Sequence, residues 1–195
     1  MRRVLVIDDH TRSRAHLVTT LKERGYELVG EAATGRLALV IARTAKPEII
    51  LMAVGLHDMD GIETARQVMQ VQPLPIVLLT SHYDAATVER AKQAGVMGYL
   101  VKPLRAEELI PAIELAITRF NDCSSLREEN STLKESLEAR KVIERAKGLI
   151  MSQRNLSEEQ AYTLLKKTSM NVRKPMATIA QAVISAGGLF EVEKG

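Results

Sequence analysis

The chain has 195 residues, of which 46% are hydrophobic and 26% charged, values typical of a folded protein with one or two domains rather than a disordered one. No apolar run approaches the roughly 20 residues of a membrane-spanning helix, and the N-terminal run stops at Asp8, which argues against an export signal. Cys123 is the only cysteine, which excludes intrachain disulfides and multi-cysteine metal sites. We therefore expect a cytoplasmic protein.

The net charge of +3 is distributed unevenly along the chain. Residues 140 to 175 carry nine Lys and Arg against three acids, a net charge of +6, whereas residues 1 to 139 carry −2 and residues 176 to 195 carry −1. A basic segment after a mildly acidic body suggests a polyanionic partner. By charge alone, a solvated helical face is an equally good interpretation.

The first 120 residues alternate short apolar runs with amphipathic stretches. Runs that are apolar on successive residues are typical of parallel strands buried on both faces, and they lie at 4–7, 27–30, 49–52, 76–79 and 99–101. The stretches between them predict helices near 11–24, 34–45, 59–71, 84–95 and 105–120. Leu37, Val40 and Ile41 share one face of the second predicted helix. The pattern predicts a doubly wound α/β domain with a five-stranded parallel sheet.

Four strand ends carry residues that form one constellation at the edge where α/β sheets place their sites. Asp8 and Asp9 follow the first strand, and Ala53 follows the third. Thr80 follows the fourth strand and Lys102 the fifth. Paired carboxylates suit Mg²⁺, and a hydroxyl with an ammonium suits phosphoryl oxygens. An Asp-Asp pair alone is more often a helix-capping turn, but the four strand ends together indicate a phosphate site.

Residues 1 to about 120 resemble a bacterial response-regulator receiver domain, through these residues and the motifs at 59–61 and 98–103. The resemblance implies that Asp8 and Asp9 bind Mg²⁺ and that Thr80 and Lys102 contact the phosphoryl group. It also implies that the aromatic Tyr99 switches orientation. The bond between Lys102 and the following proline is cis in that family, which X-Pro chemistry permits.

The chain departs from the family at Ala53, where receivers carry the aspartate that accepts phosphate. A methyl group neither accepts phosphate nor binds Mg²⁺, so we expect only weak Mg²⁺ binding and no required cofactor. Asp58 and Asp60 follow on the next loop, but their offset from the strand end makes them poor replacements. His57 stands where the family usually has proline.

Loss of the acceptor changes the expected control of the receiver. Lys102 should be free to pair directly with Asp8 or Asp9, which would fix one pocket conformation. If Ala53 is the natural residue, the resemblance implies control by a bound sensor protein without phosphorylation. If Ala53 was introduced, the resemblance implies a histidine kinase as the partner.

A long helix should connect the two ends of the chain, because residues 105 to 147 contain no glycine and only one proline, Pro111, in its early turns. The residues Leu126, Asn130, Leu133 and Leu137 are spaced 4, 3 and 4 apart, as in a coiled-coil heptad, with Cys123 at the preceding core position. Asn at a core position selects two parallel strands. We predict a parallel homodimer through residues 123 to 137; the alternative is a single helix packed on its own domain.

Three helices are predicted from Arg140 onward. The first ends near 152–155, the second begins with a capping box at 157–160, and the third opens at Lys174-Pro175 and stops at Gly187-Gly188. The predicted buried residues are Val142, Ile143, Ala146, Leu149, Ile150, Ala161, Leu164, Leu165, Ile179, Ala180, Val183 and Ile184.

The C-terminal segment resembles the ANTAR module of AmiR- and NasR-type transcription antitermination regulators. The matching residues are Arg140, Ile143, 146–151, 156–162, 165–170, Arg173-Lys174 and Ile179-Ala180. The resemblance implies binding to paired stem-loops in the leader of a nascent transcript, which then cannot form a terminator. A receiver at 1–120, a coiled-coil linker at 121–139 and this module at 140–195 match the architecture of that family.

Candidate RNA contacts follow from the basic side chains, since RNA loops are bound by cations on phosphates and by stacking on aromatic rings. The candidates are Lys147, Arg154, Tyr162, Lys166, Lys167, Arg173 and Lys174. Tyr162 is the uncertain member, because an aromatic at helical spacing is more often a core residue.

Three other functions compete with RNA binding. A receiver-linked DNA-binding regulator needs a recognition helix with several exposed base-reading residues, and the predicted helix at 176–185 is too apolar and too short. A pure protein-interaction module would use the basic segment on an acidic partner. An enzyme comes last, because no nucleophile–base pair is visible.

Overall fold

The computed structural model describes residues 1–82 and 84–187. Internal contacts divide the chain into two compact units, Met1–Ser124 and the part from Ser125 onward. Each unit is described by itself. Of the predicted helix stop at Gly187-Gly188, the second glycine lies outside the described residues.

The first unit is the predicted parallel five-stranded sheet, with strand order β2-β1-β3-β4-β5. Its strands are β1 (Arg3–Ile7), β2 (Glu27–Ala32), β3 (Ile49–Ala53), β4 (Ile76–Thr80) and β5 (Gly98–Val101). Its helices are α1 (Thr11–Glu23), α2 (Gly35–Ala45), α3 (Gly61–Val71), α4 (Ala85–Gln93) and the first part of α5 (Ala106–Arg154). The predicted fold class is confirmed.

Two apolar clusters cover the two faces of the sheet, because successive side chains of a strand point to opposite sides. Leu5 and Ile7 of β1 enter the cluster with α2, α3 and α4. Val4 and Val6 enter the cluster with α1 and α5. The central strands are therefore buried on both sides, whereas the edge strand β5 exposes 41% of Tyr99 and 41% of Val101.

The face predicted for α2 from Leu37, Val40 and Ile41 is only partly correct, since Ile41 alone of the three packs against the core. Leu37 and Val40 are 46% and 58% exposed, and the residues that face the core are Ala38 and Ala42. Small side chains at the contact let the helix backbone lie close to its neighbours, which large apolar residues at that position would prevent.

The second unit contains the end of α5, α6 (Glu158–Val172) and α7 (Met176–Ser185). Its core joins the three helices through the predicted residues Ala146, Ile150, Ala161, Leu165, Ile179, Ala180 and Val183. The predicted capping box is confirmed: the Ser157 hydroxyl accepts from the Gln160 N–H at 3.2 Å, and the Gln160 side chain accepts from the Ser157 N–H at 2.9 Å.

Helix α5 is a single 49-residue helix, and its middle part carries the predicted heptad stripe. Leu126, Leu133 and Leu137 are 64%, 62% and 54% exposed, and Asn130 is exposed as well. The alternative in which this stripe packs on its own domain is therefore wrong. An exposed leucine stripe at heptad spacing has the pattern of a coiled-coil seam.

Candidate functional site

The buried Asp8 carboxylate is the centre of the receiver pocket, at the carboxyl end of β1. Its Oδ2 accepts hydrogen bonds from the Ser13 hydroxyl at 2.6 Å and from the Lys102 ammonium at 2.5 Å, and its Oδ1 accepts from the His10 N–H at 3.0 Å. Burial raises the pKa of Asp8, but these three donors outweigh burial and hold its pKa below the ordinary value. The carboxylate is therefore charged and satisfied from within the chain.

Lys102 forms the predicted direct ion pair, with Asp8 rather than with Asp9. Its backbone N–H donates to the Thr80 carbonyl at 2.7 Å, which ties β5 to the end of β4. The peptide bond to Pro103 is cis, as the resemblance implies. The ammonium is thus held at the carboxyl edge of the sheet by the Asp8 carboxylate.

Asp9 has a partner that the sequence did not predict. The Asp9 carboxylate pairs with Nδ1 of His57, whose side chain is 82% exposed. The replacement of the usual proline by histidine at this point of the loop is the sequence feature that could have indicated this pair.

Ala53 ends β3 at the floor of the pocket and is 3% exposed. The chain after it is fixed by two backbone hydrogen bonds, from Val54 N–H to Leu79 O at 2.9 Å and from Gly61 N–H to Val54 O at 2.8 Å. A Cβ on Gly61 would lie 2.0 Å from the Ala53 carbonyl oxygen, so this close approach requires glycine. The backbone at the acceptor position is held in place although its side chain is only a methyl group.

The two acids on the following loop have structural roles. Asp58 accepts from the N–H groups of Gly35 and Arg36 at 2.8 and 3.1 Å, which caps the start of α2, and these bonds lower its pKa. Asp60 accepts from the Ile62 N–H at the start of α3 and pairs with Arg90 at 2.7 Å. Burial raises the pKa of Asp60, but the hydrogen bonds from Arg90 and from the backbone outweigh burial and leave its pKa below the ordinary value.

The Thr80 hydroxyl makes its described hydrogen bonds within its own turn, with His82. The Thr80 hydroxyl donates to the His82 carbonyl at 2.8 Å. Tyr99 lies on the edge strand with 41% of its surface exposed. The structure thus brings Asp8 and Lys102 into contact, while Thr80 is engaged in its own turn.

An open cavity of about 570 Å³ adjoins the position of Ala53. Its walls include Asp9, Ser13, Leu79 and Lys102. Within residues 1–82 and 84–187, no group of three or more His, Cys, Asp and Glu side chains could hold a metal ion. Two carboxylates that already have cationic or imidazole partners fit Mg²⁺ poorly, since this ion prefers an octahedral set of oxygen ligands.

Lys147 is not an exposed RNA contact, contrary to the sequence prediction. It is 7% exposed, and its ammonium pairs with Glu144 at 2.8 Å and with Glu158 at 2.7 Å. The hydrogen bonds that its ammonium donates to Glu144 and Glu158 raise its pKa, so it remains charged. Because Glu158 opens α6, this lysine joins α5 to α6 inside the second unit.

Tyr162 and Lys166 of α6, together with Arg173 directly after the helix, are exposed and are here called the α6 stripe. Tyr162 and Lys166 share a face because residues four positions apart are separated by about one turn at 3.6 residues per turn. Tyr162 is 42% exposed, so its interpretation as a core residue is wrong. Arg173 ends the helix with φ of 52°, the left-handed region that favours glycine.

The other predicted cations of the second unit are also exposed. Lys167, Lys174 and Arg154 all lie at the surface. Lys174 is held in the turn after α6, where its N–H donates to the Ser169 carbonyl at 3.1 Å and its carbonyl accepts from the Ser169 hydroxyl at 2.9 Å. The turn that carries the cations is therefore ordered by its own hydrogen bonds.

Comparison with known proteins agrees with both halves of this description. Residues 4–114 match the response regulator receiver domain family, and residues 131–184 match the ANTAR domain family. The chain belongs to the response regulators that combine these two domains. Such proteins are signalling regulators of transcription with an RNA-binding domain, not members of an enzyme family.

Relatives cover nearly the whole chain or the receiver alone. The chain is 41% identical over 187 residues to the transcriptional regulatory protein PdtaR of Mycobacterium tuberculosis. The aligned region covers 96% of this chain and 91% of that protein. A receiver domain of a diguanylate cyclase from Desulfovibrio desulfuricans is 34% identical, with a TM-score of 0.58 over 62% of this chain and 97% of that one. The chemotaxis protein CheY4 of Vibrio cholerae is also 34% identical, with a TM-score of 0.56 over 58% and 97%.

Across residues 1–82 and 84–187, every helix falls short of the length or apolarity that crossing a bilayer requires.

Proposed function

We propose that this protein is a dimeric antitermination regulator of the cytoplasm that binds structured leader RNA through its second unit. The observation that carries the proposal is the α6 stripe, which exposes an aromatic ring and two cations along α6 and at its C-terminal end. Base stacking on an aromatic side chain and cations on phosphates are the two contacts by which proteins bind RNA loops. Lys167 and Lys174 add positive charge around the same turn.

Recognition of duplex DNA is the less suitable interpretation of this unit. A recognition helix must expose several side chains to base edges in the major groove. Helix α7 instead commits Ile179, Ala180 and Val183 to the core. The exposed polar surface of α7 is too small for base readout.

The receiver acts, in this proposal, without phosphorylation and without resident Mg²⁺. Asp8 already holds the Lys102 ammonium, and the methyl group of Ala53 offers no acceptor oxygen. Asp58 and Asp60 cap helices and cannot leave these positions without exposing N–H groups at the starts of α2 and α3. Control would then come from a bound sensor protein; a histidine kinase would be the partner of a form with aspartate at position 53.

The RNA proposal is tested by reversing the charge of one lysine in the α6 stripe and of the lysine that follows it. Lys166→Glu with Lys167→Glu should weaken binding by about 3 kcal/mol, or roughly a hundredfold in Kd, since two charge-assisted contacts are lost. The log–log salt slope should fall by about 0.7 per lost contact. The measurement is a filter-binding titration with RNA that the unchanged chain has selected from a pool of hairpins with randomised loops.

A control must separate this contact from net charge. Lys22→Glu with Arg24→Glu makes the same charge change at exposed positions of the receiver and should leave Kd within about twofold, because distant charges are screened. Equal weakening by both double variants, or equal affinity of the unchanged chain for duplex DNA, would contradict the proposal.

The dimer is tested at the exposed leucines of α5. Burying a leucine contributes about 1.5–3 kcal/mol, and a two-stranded coil buries each leucine twice. Leu133→Asp should therefore give monomers in analytical ultracentrifugation. Thr132→Asp, at an exposed c position on the side of the helix away from the seam, is the control and should remain dimeric. A monomeric unchanged chain at high micromolar concentration would show that the seam is not a dimer interface.

A further inference from the structure

Gly148 lies in the interior of α5, where glycine costs helix stability relative to alanine. A Cβ built on Gly148 would meet no atom within 4 Å. The contrast is Gly61, whose Cβ would strike the Ala53 carbonyl, so that the fold itself requires glycine there. At Gly148 no contact among the described residues requires it. Close approach of another molecule to the helix backbone is a physical reason for glycine at such a point.

The surface around Gly148 carries two exposed cations, and Glu144, which lies one turn before it, is paired with the Lys147 ammonium at 2.8 Å. Lys141 and Arg145 lie about two turns and one turn before it, and Ser152 lies about one turn after it, on the same side of the helix. All three are exposed, and Arg145 has no ion-pair partner within residues 1–82 and 84–187. Lys141 pairs with Glu138 at 2.7 Å, an exposed pair of the kind that contributes little and opens readily.

We propose, on the basis of the RNA-binding function above, that this face of α5 is a second RNA contact, where the sugar–phosphate backbone packs against Gly148. Phosphates would lie between the Lys141 and Arg145 side chains, and the missing Cβ would let the RNA backbone reach the helix surface. This contact does not recognise any base. It adds affinity and fixes the position of the protein along the RNA, as phosphate contacts do.

A second copy of the chain is the competing occupant, because Gly148 follows Leu137 by about three turns and lies on the same side as the leucine stripe. Charge argues against it. Two parallel copies in contact there would bring two Arg145 and two Lys141 side chains together, and like charges across an interface are destabilising. A polyanion would instead be attracted by the same four cations.

The test enlarges the side chain at Gly148 in the full-length protein. Gly148→Ala and Gly148→Leu should both raise the melting temperature, because alanine and leucine are better helix formers than glycine. RNA affinity should nevertheless fall in the order Gly, Ala, Leu, by about threefold and then by more than about tenfold. The probe is the hairpin RNA selected by the unchanged chain. A rise in stability together with a loss of affinity is not expected if Gly148 is merely a tolerated helix residue.

Two further variants sharpen the outcome. Arg145→Gln should lower the log–log salt slope by about 0.7–0.9. Gly55→Ala, a matched change at an exposed glycine of the receiver with open space around it, should leave Kd unchanged.

Equal RNA affinities of the unchanged chain, Gly148→Ala and Gly148→Leu would overturn the proposal, as would a selective loss of dimer in sedimentation. If Lys166→Glu with Lys167→Glu weakens RNA binding while Gly148→Leu does not, only the second contact is wrong. If neither weakens it, RNA binding by this unit fails as a whole.

Discussion

The receiver pocket and the α6 stripe carry similar charged side chains in opposite circumstances. In the pocket, Asp8 and Lys102 neutralise each other, and Asp9 is paired with His57. On α6, Lys166 and Arg173 have no acidic partner among the described residues. A pocket whose charges are satisfied from within gains little from a charged ligand. Exposed cations without acids gain from a polyanion, because binding releases its condensed counterions.

Removing a lysine should have opposite consequences in the two regions, and this is the largest effect that we expect. Lys102→Met leaves the fully buried Asp8 without its cation and should lower the free energy of unfolding by about 3 kcal/mol, measured by urea denaturation. Its effect on RNA affinity should be negligible. Lys166→Met, the matched change on α6, should change stability by less than about 0.5 kcal/mol while weakening RNA binding.

The pH dependence of unfolding checks the cause of that loss. Because the folded-state pKa of Asp8 lies below its unfolded value, the pair contributes stability that is complete above about pH 4–5. This contribution is lost as the pH falls through the folded-state pKa. In Lys102→Met the folded-state pKa of Asp8 should rise, so the acid limb of the stability curve should begin at higher pH. An unchanged acid limb would mean that the Asp8–Lys102 pair does not stabilise the fold.

Restoring the acceptor should make the pocket depend on a ligand. Ala53→Asp adds a third carboxylate beside Asp8 and Asp9 and should cost about 2 kcal/mol of stability without metal. Mg²⁺ at about 10 mM should return part of this loss. Ala53→Asn, which has similar shape and no charge, should not respond to Mg²⁺. The measurement is thermal unfolding with and without the ion.

Comparison of Ala53→Asp with the unchanged chain tests whether the receiver can be phosphorylated. A small phosphodonor with Mg²⁺ should give acid-labile phosphate on Ala53→Asp and none on the chain with Ala53. Beryllofluoride should leave RNA affinity and dimerisation of the chain with Ala53 unchanged. Phosphate found by mass spectrometry on Asp58 or Asp60 would contradict the structural roles assigned to these residues.

Tyr162 tests whether the exposed ring contributes by stacking. Tyr162→Ala should weaken RNA binding by about 1.5 kcal/mol, close to tenfold in Kd. Tyr162→Phe should bind normally, because phenylalanine keeps the ring. Both variants should unfold at nearly the temperature of the unchanged chain, since the side chain is 42% exposed. A large loss of stability in Tyr162→Ala would instead indicate a packing role.

The smallest expected effect is at Arg173, where stability and binding should move in opposite directions. Arg173→Gly should raise the free energy of unfolding by up to about 1 kcal/mol, because the left-handed conformation costs an arginine more than a glycine. The same change should weaken RNA binding about fivefold and lower the salt slope. Arg173→Lys should keep both properties near those of the unchanged chain; loss of binding there would point to a geometric rather than an ionic role.

Much of the fold was predictable because it depends on local patterns. Neighbouring residues are enough to predict the apolar runs of the central strands and the capping box at Ser157. They are also enough to predict the apolar residues that α5, α6 and α7 contribute to the second core. The face of α2 was not predictable in this way, because the preference for Ala38 and Ala42 over Leu37 and Val40 depends on how closely that helix approaches its neighbours.

The candidate sites divide in the same way. Lys102 was predicted to pair with Asp8 or Asp9 because the topology places these strand ends at one edge of the sheet, and the structure selects Asp8. Lys147 was assigned to the surface by its charge, but its burial depends on Glu158, which lies on another helix. The exposure of Tyr162 likewise depends on how α6 packs. The partner of Asp9 was not predicted, because no periodic pattern in the sequence predicts the conformation of the loop that carries His57.

The firmly held backbone at Ala53 has an evolutionary consequence. Some alanine codons become aspartate codons by one nucleotide change, and the chain around position 53 is already fixed by Val54, Leu79 and Gly61. A single point mutation would therefore place a carboxylate in a prepared setting beside Asp8, Asp9 and Lys102. We expect such a change to alter how the receiver is controlled without rebuilding its backbone.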